Sequence, residues 1–307
     1  MKSHTVFFTC LCTLLLARDA YQQNIIKIAP YGNSITQAAG NQQSYRYPLW
    51  KKLIDANIAF DFVGSMNSNF GGNPSRPDYK GKKFDMDHEG HWGWRADEIL
   101  GKMDTWLQNY TPDMVLMHIG TNDCIQGQDN NGTIGEITQI VGKLRKDNPK
   151  VVIFMANLIP CNASGTPPRI NDINPKIKTL ANQLNTEASP IIFVDQNTGI
   201  QSSDLYDGIH PQASGEEKMA QKWFNAISNY LTATKAQNYA IYSSRVTASG
   251  PANRFELVCP QISNKNRELL SPDGVITNLL GKKISVGIKA GKLPDGFYVI
   301  SKNAEEK

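Results

Sequence analysis

The sequence predicts an α/β/α protein, in which a parallel sheet of five strands has helices on both faces and a small all-β appendage follows. Two observations predict the main domain. Apolar runs rich in β-branched residues recur at wide spacing, and segments with helical periodicity separate them. A third observation predicts the appendage, because near Thr232 the pattern changes to short strand-like runs between turns. At 307 residues the chain is long enough for one large domain and one small one.

The strand candidates are apolar over nearly their whole length, as is typical of strands buried on both faces. They are Ile25–Ala29, Ala59–Val63, Met114–Ile119, Val151–Leu158 and Ile191–Val194. The helix candidates carry apolar stripes at intervals of three and four residues. They are Tyr47–Ile58, Ala96–Tyr110, Ile134–Lys146, Asn174–Glu187 and Ser214–Leu231. Strands that alternate with helices pair in parallel through right-handed crossovers, and ligands of such folds bind beyond the carboxyl ends of the strands.

The chain is predicted to divide into a signal peptide, an α/β domain, a linker and an all-β appendage, at residues 1–20, 21–233, 234–254 and 255–307. Lys2 and the short apolar run Val6–Ala17 predict the secretory signal peptide, with a buried first helix as the alternative. The linker is small and polar and contains Gly250 and Pro251. The predicted strands of the appendage are Phe255–Cys259, Gly274–Leu280, Lys283–Ile288 and Gly296–Ser301.

Composition argues against two classes of protein. The formal net charge of +4 is mild and Lys and Arg form no stripe, so a nucleic-acid-binding protein is not expected. No stretch of the sequence is long and apolar enough to cross a membrane. Three cysteines lie outside the leader, and Cys124 and Cys161 each follow a strand candidate. In an oxidising compartment a Cys124–Cys161 disulfide is therefore a hypothesis, with Cys259 left over.

Ser34 follows the first strand candidate, in the segment Ile25–Gln37. It lacks the G-x-S-x-G pattern, so an ordinary turn serine is the alternative to a nucleophile. A nucleophilic serine needs a base, a group that orients the base, and donors for the oxyanion. His210 qualifies as the base because it follows the last strand candidate, and Asp207 lies three residues before it. Taken alone, this pair is more simply a capping aspartate and an exposed histidine.

Candidate oxyanion donors also follow strand ends. Asn122 offers a side-chain amide after the third strand candidate, and Gly93 offers a backbone N–H just before a helix. The alternatives are a turn or helix-cap role for Asn122 and a helix-entry turn at Gly93. His118 lies inside the same apolar strand and is predicted to be a core residue.

These residues lie in four sequence blocks that resemble those of the SGNH (GDSL-type) hydrolases, in the order of that family. The blocks are Gly32-Asn33-Ser34-Ile35-Thr36, Gly93, Gly120-Thr121-Asn122-Asp123 and Asp207-Gly208-Ile209-His210-Pro211. The segment Glu89–Trp94 is similar to the second block of the acetylxylan esterases of carbohydrate esterase family three. The resemblance covers roughly Ile25–Leu231 and implies the SGNH hydrolase fold, a flavodoxin-like three-layer domain.

The resemblance implies a secreted or cell-surface serine esterase. Ser34 would attack the ester carbonyl, His210 would act as base and then acid, and Asp207 would orient it. The N–H groups of Ser34 and Gly93 and the amide of Asn122 would bind the oxyanion. Members of the family need no metal or cofactor and cleave small esters, often acetyl groups on sugars. The expected substrate is therefore acetylated plant cell-wall polysaccharide, above all acetylxylan.

Two positions depart from the family pattern. Asn33 replaces the usual aspartate before the nucleophile, and it is expected to keep the hydrogen bonds of the turn while shifting activity with pH. Trp92 stands where the esterase branch often has a small residue. Trp92 and Trp94 are predicted to bind substrate by stacking on sugar rings, with packing under the adjacent helix as the alternative. One platform and one packing residue is the expected division.

A metal site is a rival to the serine mechanism. Its ligands would come from one acidic and histidine-containing stretch: Asp85, Asp87, His88, Glu89 and His91. The spacing is not that of an H-E-x-x-H helix, and Gly90 favours a turn, so no metal is predicted.

Two further functions stay open. A lipid or acyl-thioester hydrolase of the same superfamily would need an extended apolar groove, and the sequence contains no Met- or Leu-rich lid insertion. A non-catalytic carbohydrate-binding protein is a different class, and the intact Ser34, Asp207 and His210 argue against it.

The appendage also has two interpretations. Thr277–Ile284 and Leu293–Ile300 resemble the secretion-sorting domains of Bacteroidota-type exported proteins, which implies the secretion machinery as a partner. A small polysaccharide-binding module, with Phe297 and Tyr298 as its aromatic residues, is the alternative.

Overall fold

The computed structural model describes residues 25–246, with side chains up to residue 234, and the backbone of residues 275–277 and 283–285. The predicted signal peptide lies outside the described residues, as do part of the predicted linker and most of the appendage. The contacts of the chain divide it into two units, Met1–Ala233 and Thr234–Lys307, and the residues of the candidate site belong to the first. The predicted segment boundaries stay predictions.

One parallel sheet forms the centre of the first unit. Its strands are β1 (Ile26–Gly32), β2 (Phe60–Phe62), β3 (Glu89–Gly90), β4 (Met114–His118), β5 (Val152–Ala156) and β6 (Ile191–Val194). The order is β2-β1-β4-β5-β6, and β3 pairs with the carboxyl end of β1. The predicted parallel α/β/α fold is confirmed. The two-residue strand β3 is an addition, because so short a segment shows no periodicity.

Eight α-helices lie among the described residues. They are α1 (Ser34–Gln37), α2 (Arg46–Asp55), α3 (Ala96–Leu100), α4 (Met103–Trp106), α5 (Thr121–Gln126), α6 (Asn130–Asp147), α7 (Thr166–Leu184) and α8 (Ala213–Val246). The single helix predicted over Ala96–Tyr110 is interrupted at Gly101, since glycine is a weak helix former. Helix α7 begins before the predicted Asn174, because two prolines are well placed in its first turn.

Two apolar cores lie on the two faces of the sheet and make the three layers. Alternate residues of a strand point to opposite faces. In β4, Val115 and Met117 therefore pack against α3, α4, α6 and α7, whereas Met114 and Leu116 pack against α2 and α8. His118, at the end of β4, is fully buried, and burial lowers its pKa to about 4, as expected of a neutral core residue.

Cys124 and Cys161 are buried free thiols, so the hypothesis of a disulfide between them is wrong. Both side chains belong to the apolar core on one face of the sheet, where cysteine packs as a small apolar residue. The Cys124 thiol donates a hydrogen bond to the Asn130 Oδ1, with a distance of 3.7 Å between the sulfur and the oxygen. Burial raises the pKa of Cys124 to about 12, which keeps it protonated.

In the C-terminal unit, β7 (Val275–Thr277) and β8 (Lys283–Ser285) form an antiparallel pair. These strands fall within two of the four strands predicted for the appendage, and the other two lie outside the described residues. Of the helices in the described part of the chain, none combines the length and apolar character needed to span a membrane.

Candidate active site

Ser34 lies at the carboxyl edge of the sheet, where β1 ends and α1 begins. Asn33 caps this short helix, because its side-chain oxygen accepts a hydrogen bond from the Ile35 N–H at 3.0 Å. Gly32 is required by close packing, since a Cβ at this position would lie 2.3 Å from the Thr36 hydroxyl oxygen and 2.8 Å from the His118 backbone carbonyl oxygen. The turn therefore holds Ser34 in a fixed position, and the residue is only 4% exposed.

His210 and Asp207 meet Ser34 at this edge, although Ser34 and His210 are 176 residues apart in sequence. The Ser34 hydroxyl lies 2.8 Å from His210 Nε2, and His210 Nδ1 lies 2.7 Å from Asp207 Oδ2. The turn between Asp207 and His210 passes through Gly208, whose φ of 80° favours glycine. A Ser–His–Asp chain of hydrogen bonds results, with Nδ1–H donating to the carboxylate and Nε2 free to accept from the serine.

The Asp207 carboxylate accepts bonds from its own turn. Its Oδ1 accepts from the backbone N–H groups of Ile209 at 2.9 Å and His210 at 2.7 Å. Partial burial by itself raises the pKa of Asp207, but these hydrogen bonds and the one from the His210 ring outweigh it and lower the pKa below its ordinary value. Asp207 therefore stays ionised and holds one tautomer of the imidazole.

The predicted oxyanion donors follow β1, β3 and β4, which are neighbours in the sheet. Gly93 has a φ of 82°, a conformation that favours glycine. Asn122 is 7% exposed, and its Nδ2 donates to the Trp94 carbonyl at 2.8 Å, which leaves the second amide hydrogen available. Among the described residues, neither the Ser34 N–H nor the Gly93 N–H donates to a protein acceptor.

A row of stacked aromatic rings passes through the histidine. The His210 ring stacks on Trp92 at 4.6 Å and on Tyr206 at 5.7 Å, and Trp92 stacks in turn on Phe70 at 4.8 Å. The Trp92 N–H donates to the Gln37 Oε1 at 2.8 Å, so α1 holds the backbone of this tryptophan. Phe70 and Tyr206 were not among the predicted site residues, because nothing in their local sequence indicates where their loops lie.

Trp94 has different surroundings from Trp92. Its ring stacks on His91 at 4.6 Å and on Trp106 at 6.0 Å, and it packs against the apolar core. The assignment of both tryptophans to substrate binding stays a prediction. The contacts place Trp92 beside the histidine and Trp94 against the core.

The stretch that suggested a metal site forms an internal hydrogen-bond network instead. The fully buried Glu89 carboxylate accepts from His91 Nε2, the Tyr110 hydroxyl and the Ser65 hydroxyl, each at 2.5 Å, and from the Ser65 N–H at 2.8 Å. The His88 Nδ1 accepts from the Gly90 N–H at 2.9 Å. Within the part of the chain that the structure describes, no three His, Cys, Asp or Glu side chains are grouped so that they could hold a metal ion.

A buried arginine, which the sequence did not single out, supports the segment after Ser34. The Arg46 guanidinium is fully buried and donates to the carbonyls of Thr36, Gln37 and Met86 and to the Asn69 Oδ1, at 2.7 to 3.2 Å. Burial lowers the pKa of Arg46 to about 9. The local sequence gives no signal for this role, because the acceptors come from α1 and from two loops that are distant in sequence, at Asn69 and Met86.

The sheet topology and the two apolar cores define a three-layer α/β/α domain. Residues 31–218, more than half of the chain, match the GDSL-like Lipase/Acylhydrolase family. The chain therefore belongs to this family, and its described α/β domain is that of a carboxylic ester hydrolase with the SGNH hydrolase fold.

The similar proteins found by sequence and those found by structure are both esterases. The chain is 30% identical over 234 residues, 68% of its length, to a multidomain esterase of Ruminococcus flavefaciens, and it spans 29% of that protein. It is similar to a solved carbohydrate esterase family 3 protein of Talaromyces cellulolyticus, at 31% identity and a TM-score of 0.60. A mutant acetyl esterase crystallised with an acetate ion matches at 31% identity and a TM-score of 0.60. Each match covers 68% of this chain and 99% of that structure.

Proposed function

We propose that this chain is a secreted serine esterase that hydrolyses acetyl esters on plant cell-wall polysaccharide, with acetylxylan as the first candidate. The observation that carries the proposal is the hydrogen-bond chain from Ser34 through His210 to Asp207, with contacts of 2.8 and 2.7 Å. The similarity to an acetyl esterase and to a family 3 carbohydrate esterase supports the acyl group and the substrate class. The apolar run near the N-terminus supports secretion.

In the first half of the proposed reaction, the Ser34 oxygen attacks the acetyl carbonyl while His210 Nε2 takes the hydroxyl proton. Asp207 stabilises the imidazolium that forms. The N–H groups of Ser34 and Gly93 and the free amide hydrogen of Asn122 donate to the oxyanion, whose charge develops only in the transition state. Collapse of the tetrahedral intermediate breaks the ester bond, and His210 returns the proton to the leaving sugar hydroxyl.

In the second half, water replaces the sugar. His210 takes a proton from the water as it attacks the acetyl–Ser34 carbonyl, and the same donors bind the second oxyanion. The bond to the serine oxygen then breaks, His210 returns the proton to Ser34, and acetate leaves. Every step uses groups of this chain, so the proposal requires neither a metal nor a cofactor.

The exposed apolar residues favour a short acyl group over a lipid chain. Among the described residues, the large apolar side chains that are exposed are Ile25, Phe70 and Tyr206. Phe70 and Tyr206 lie at the two ends of one row of stacked rings, and two exposed rings separated in this way do not make a continuous groove for a long alkyl chain. A panel of acyl esters of increasing chain length separates the two functions, because a preference for long chains would favour the lipid or thioester hydrolase.

The test of the proposal is turnover of p-nitrophenyl acetate by the parent and by Ser34→Ala. We expect the substitution to reduce kcat by about 10⁴-fold or more, because it removes the nucleophile. Ser203→Ala is the matched control, since this exposed serine hydroxyl has no role in the mechanism. Equal rates for parent and Ser34→Ala would refute the esterase and favour a carbohydrate-binding protein. Acetate release from natural acetylated xylan then tests the substrate.

The appendage enters the proposal only through its sequence. The resemblance of its two stretches to secretion-sorting domains supports the secretion machinery as a partner, and a polysaccharide-binding module stays the alternative. Removal of the appendage should leave the esterase activity of the α/β domain intact in either case.

A further inference from the structure

We propose that Phe70 and Tyr206 are platforms for sugar rings, so that the site takes an acetylated saccharide of more than one unit. This inference rests on the proposed function, because it names the part of the substrate that lies outside the acetyl group. The two residues are the end members of the row of stacked rings that runs from Phe70 through Trp92 and His210 to Tyr206.

The first argument is exposure. Phe70 is 53% exposed and Tyr206 is 41% exposed, and both belong to the row that contains His210. The remaining large apolar side chain that is exposed among the described residues is Ile25, which precedes the amino end of β1, at the opposite edge of the sheet from Ser34. Exposed apolar rings cost free energy in water, so their concentration beside one site indicates a ligand that covers them.

The second argument is which ring surface remains available. Trp92 already stacks on both Phe70 and His210, and it is half-buried. Its ring is therefore largely covered by protein, whereas Phe70 makes one ring contact within the row and Tyr206 makes one. A sugar that stacks at this rim has more free aromatic surface on the two end members than on Trp92.

The third argument is that the Phe70 platform is anchored. The Phe70 N–H donates to the Ala38 carbonyl at 2.9 Å. The preceding Asn69 is 3% exposed, and its Oδ1 accepts from Arg46 at 3.2 Å and from Arg76 at 2.9 Å. A ring that is held in place before the ligand arrives loses little conformational entropy on binding.

Tyr206 is anchored in a comparable way. Its N–H donates to the His210 carbonyl at 3.0 Å, and the neighbouring Leu205 forms a β-bridge with Pro211. The loop that carries the base thus carries the second platform as well.

The chemistry of the two rings favours a saccharide. A pyranose presents an apolar C–H face that packs on an aromatic ring, while its hydroxyl groups stay in water at the edges. The platforms lie at opposite ends of the row, so one acetyl group at Ser34 cannot cover both. The alcohol part of the ester must extend beyond the acetylated unit to reach them.

The experiment compares kcat/KM for an acetylated xylo-oligosaccharide with kcat/KM for p-nitrophenyl acetate, in the full chain. We expect Phe70→Ala and Tyr206→Leu each to lower the ratio of these constants by about tenfold, through a higher KM for the saccharide. Phe70→Leu keeps apolar volume but not the flat ring and should lower the ratio similarly, whereas Tyr206→Phe should retain it. Ile25→Ala is the matched control and should leave the ratio unchanged.

The outcomes separate this inference from the proposed function. A parent with no activity on either ester refutes the proposed function, and the inference with it. A parent that is active while Phe70→Ala, Phe70→Leu and Tyr206→Leu all keep the parental ratio overturns the inference alone. If the melting temperature of a variant equals that of the parent, a lower ratio of its two kcat/KM values does not come from unfolding.

Discussion

Two carboxylate–histidine pairs form side-chain contacts in the part of the α/β domain that the structure describes, and they differ in ways that bear on the proposed mechanism. In Asp207–His210 the contact is 2.7 Å, and in Glu89–His91 it is 2.5 Å. Each imidazole also stacks on two aromatic rings: Trp92 and Tyr206 for His210, and Trp94 and Trp106 for His91. Pairing with a carboxylate and aromatic packing are therefore common to both.

The pairs differ in burial and in what else they contact. The side chains of Glu89 and His91 are 0% and 9% exposed, and Glu89 also accepts bonds from Ser65 and Tyr110. The side chains of Asp207 and His210 are 38% and 13% exposed. Of the two pairs, only Asp207–His210 has its second ring nitrogen, His210 Nε2, within hydrogen-bond distance of a serine hydroxyl, that of Ser34. In the proposed mechanism, solvent access and a neighbouring serine hydroxyl therefore distinguish Asp207–His210 from Glu89–His91.

The largest effect that separates the two pairs is expected from Asp207→Asn. The amide cannot hold the imidazole in the right tautomer or stabilise the imidazolium, so we expect kcat to fall about 10³- to 10⁴-fold. Because the pKa of Asp207 is lowered, the carboxylate keeps its charge below the ordinary pKa, and the loss should appear at every pH where the parent is active. Kinetics with p-nitrophenyl acetate measure this, and a melting temperature close to that of the parent excludes unfolding.

The corresponding change in the buried pair, Glu89→Gln, should act on stability. In Glu89→Gln, one carboxylate oxygen is replaced by an amide NH₂ group, which donates and cannot accept. It would face the donors of Ser65, His91 or Tyr110, so at least one buried hydrogen bond is lost. We expect the free energy of unfolding to fall by about 2–4 kcal/mol. Denaturant unfolding measures it, and Asp97→Asn, in an exposed pair with Arg95, is the matched control that should change little.

Two results would contradict this contrast between the pairs. A Glu89→Gln protein as stable as its parent would mean that the network is not structural. A Glu89→Gln protein that is as stable as the parent but inactive would mean that the buried pair takes part in the chemistry, through the segment that carries Gly93.

The smallest effect is expected from Asn33→Asp, which places an additional carboxylate beside Ser34. Asn33 is fully buried, its Oδ1 caps α1, and its Nδ2 has no acceptor among the described residues. The substitution adds a buried titratable group beside Ser34, so we expect the pH–rate profile of the variant to differ from that of the parent by roughly half a unit. Superimposable profiles for parent and variant would show that the replacement of aspartate by asparagine is silent.

The sequence predicted what depends on local patterns. Continuous apolar runs identified the strands, and β6 agrees with the prediction at both ends, Ile191 and Val194. The position of Ser34, Asn122 and His210 after strand ends followed from the same pattern, because parallel strands bring their carboxyl ends to one edge. The resemblance to a family then selected these residues from several plausible turns.

Only the tertiary structure decided which distant residues meet. Phe70 reaches Trp92, and the Asn69 beside it reaches Arg46, through loops whose paths have no periodic signal. The sequence favoured a turn over a metal site in the acidic and histidine-containing stretch, but it did not indicate that Glu89 would be buried and accept hydrogen bonds from His91 and Tyr110. Hydrophobic periodicity and turn preference act over a few residues, whereas these contacts depend on how loops close and side chains pack. The sequence alone therefore determined the fold and the positions of the candidate site residues after strand ends, and the folded chain decided which aromatic rings surround His210.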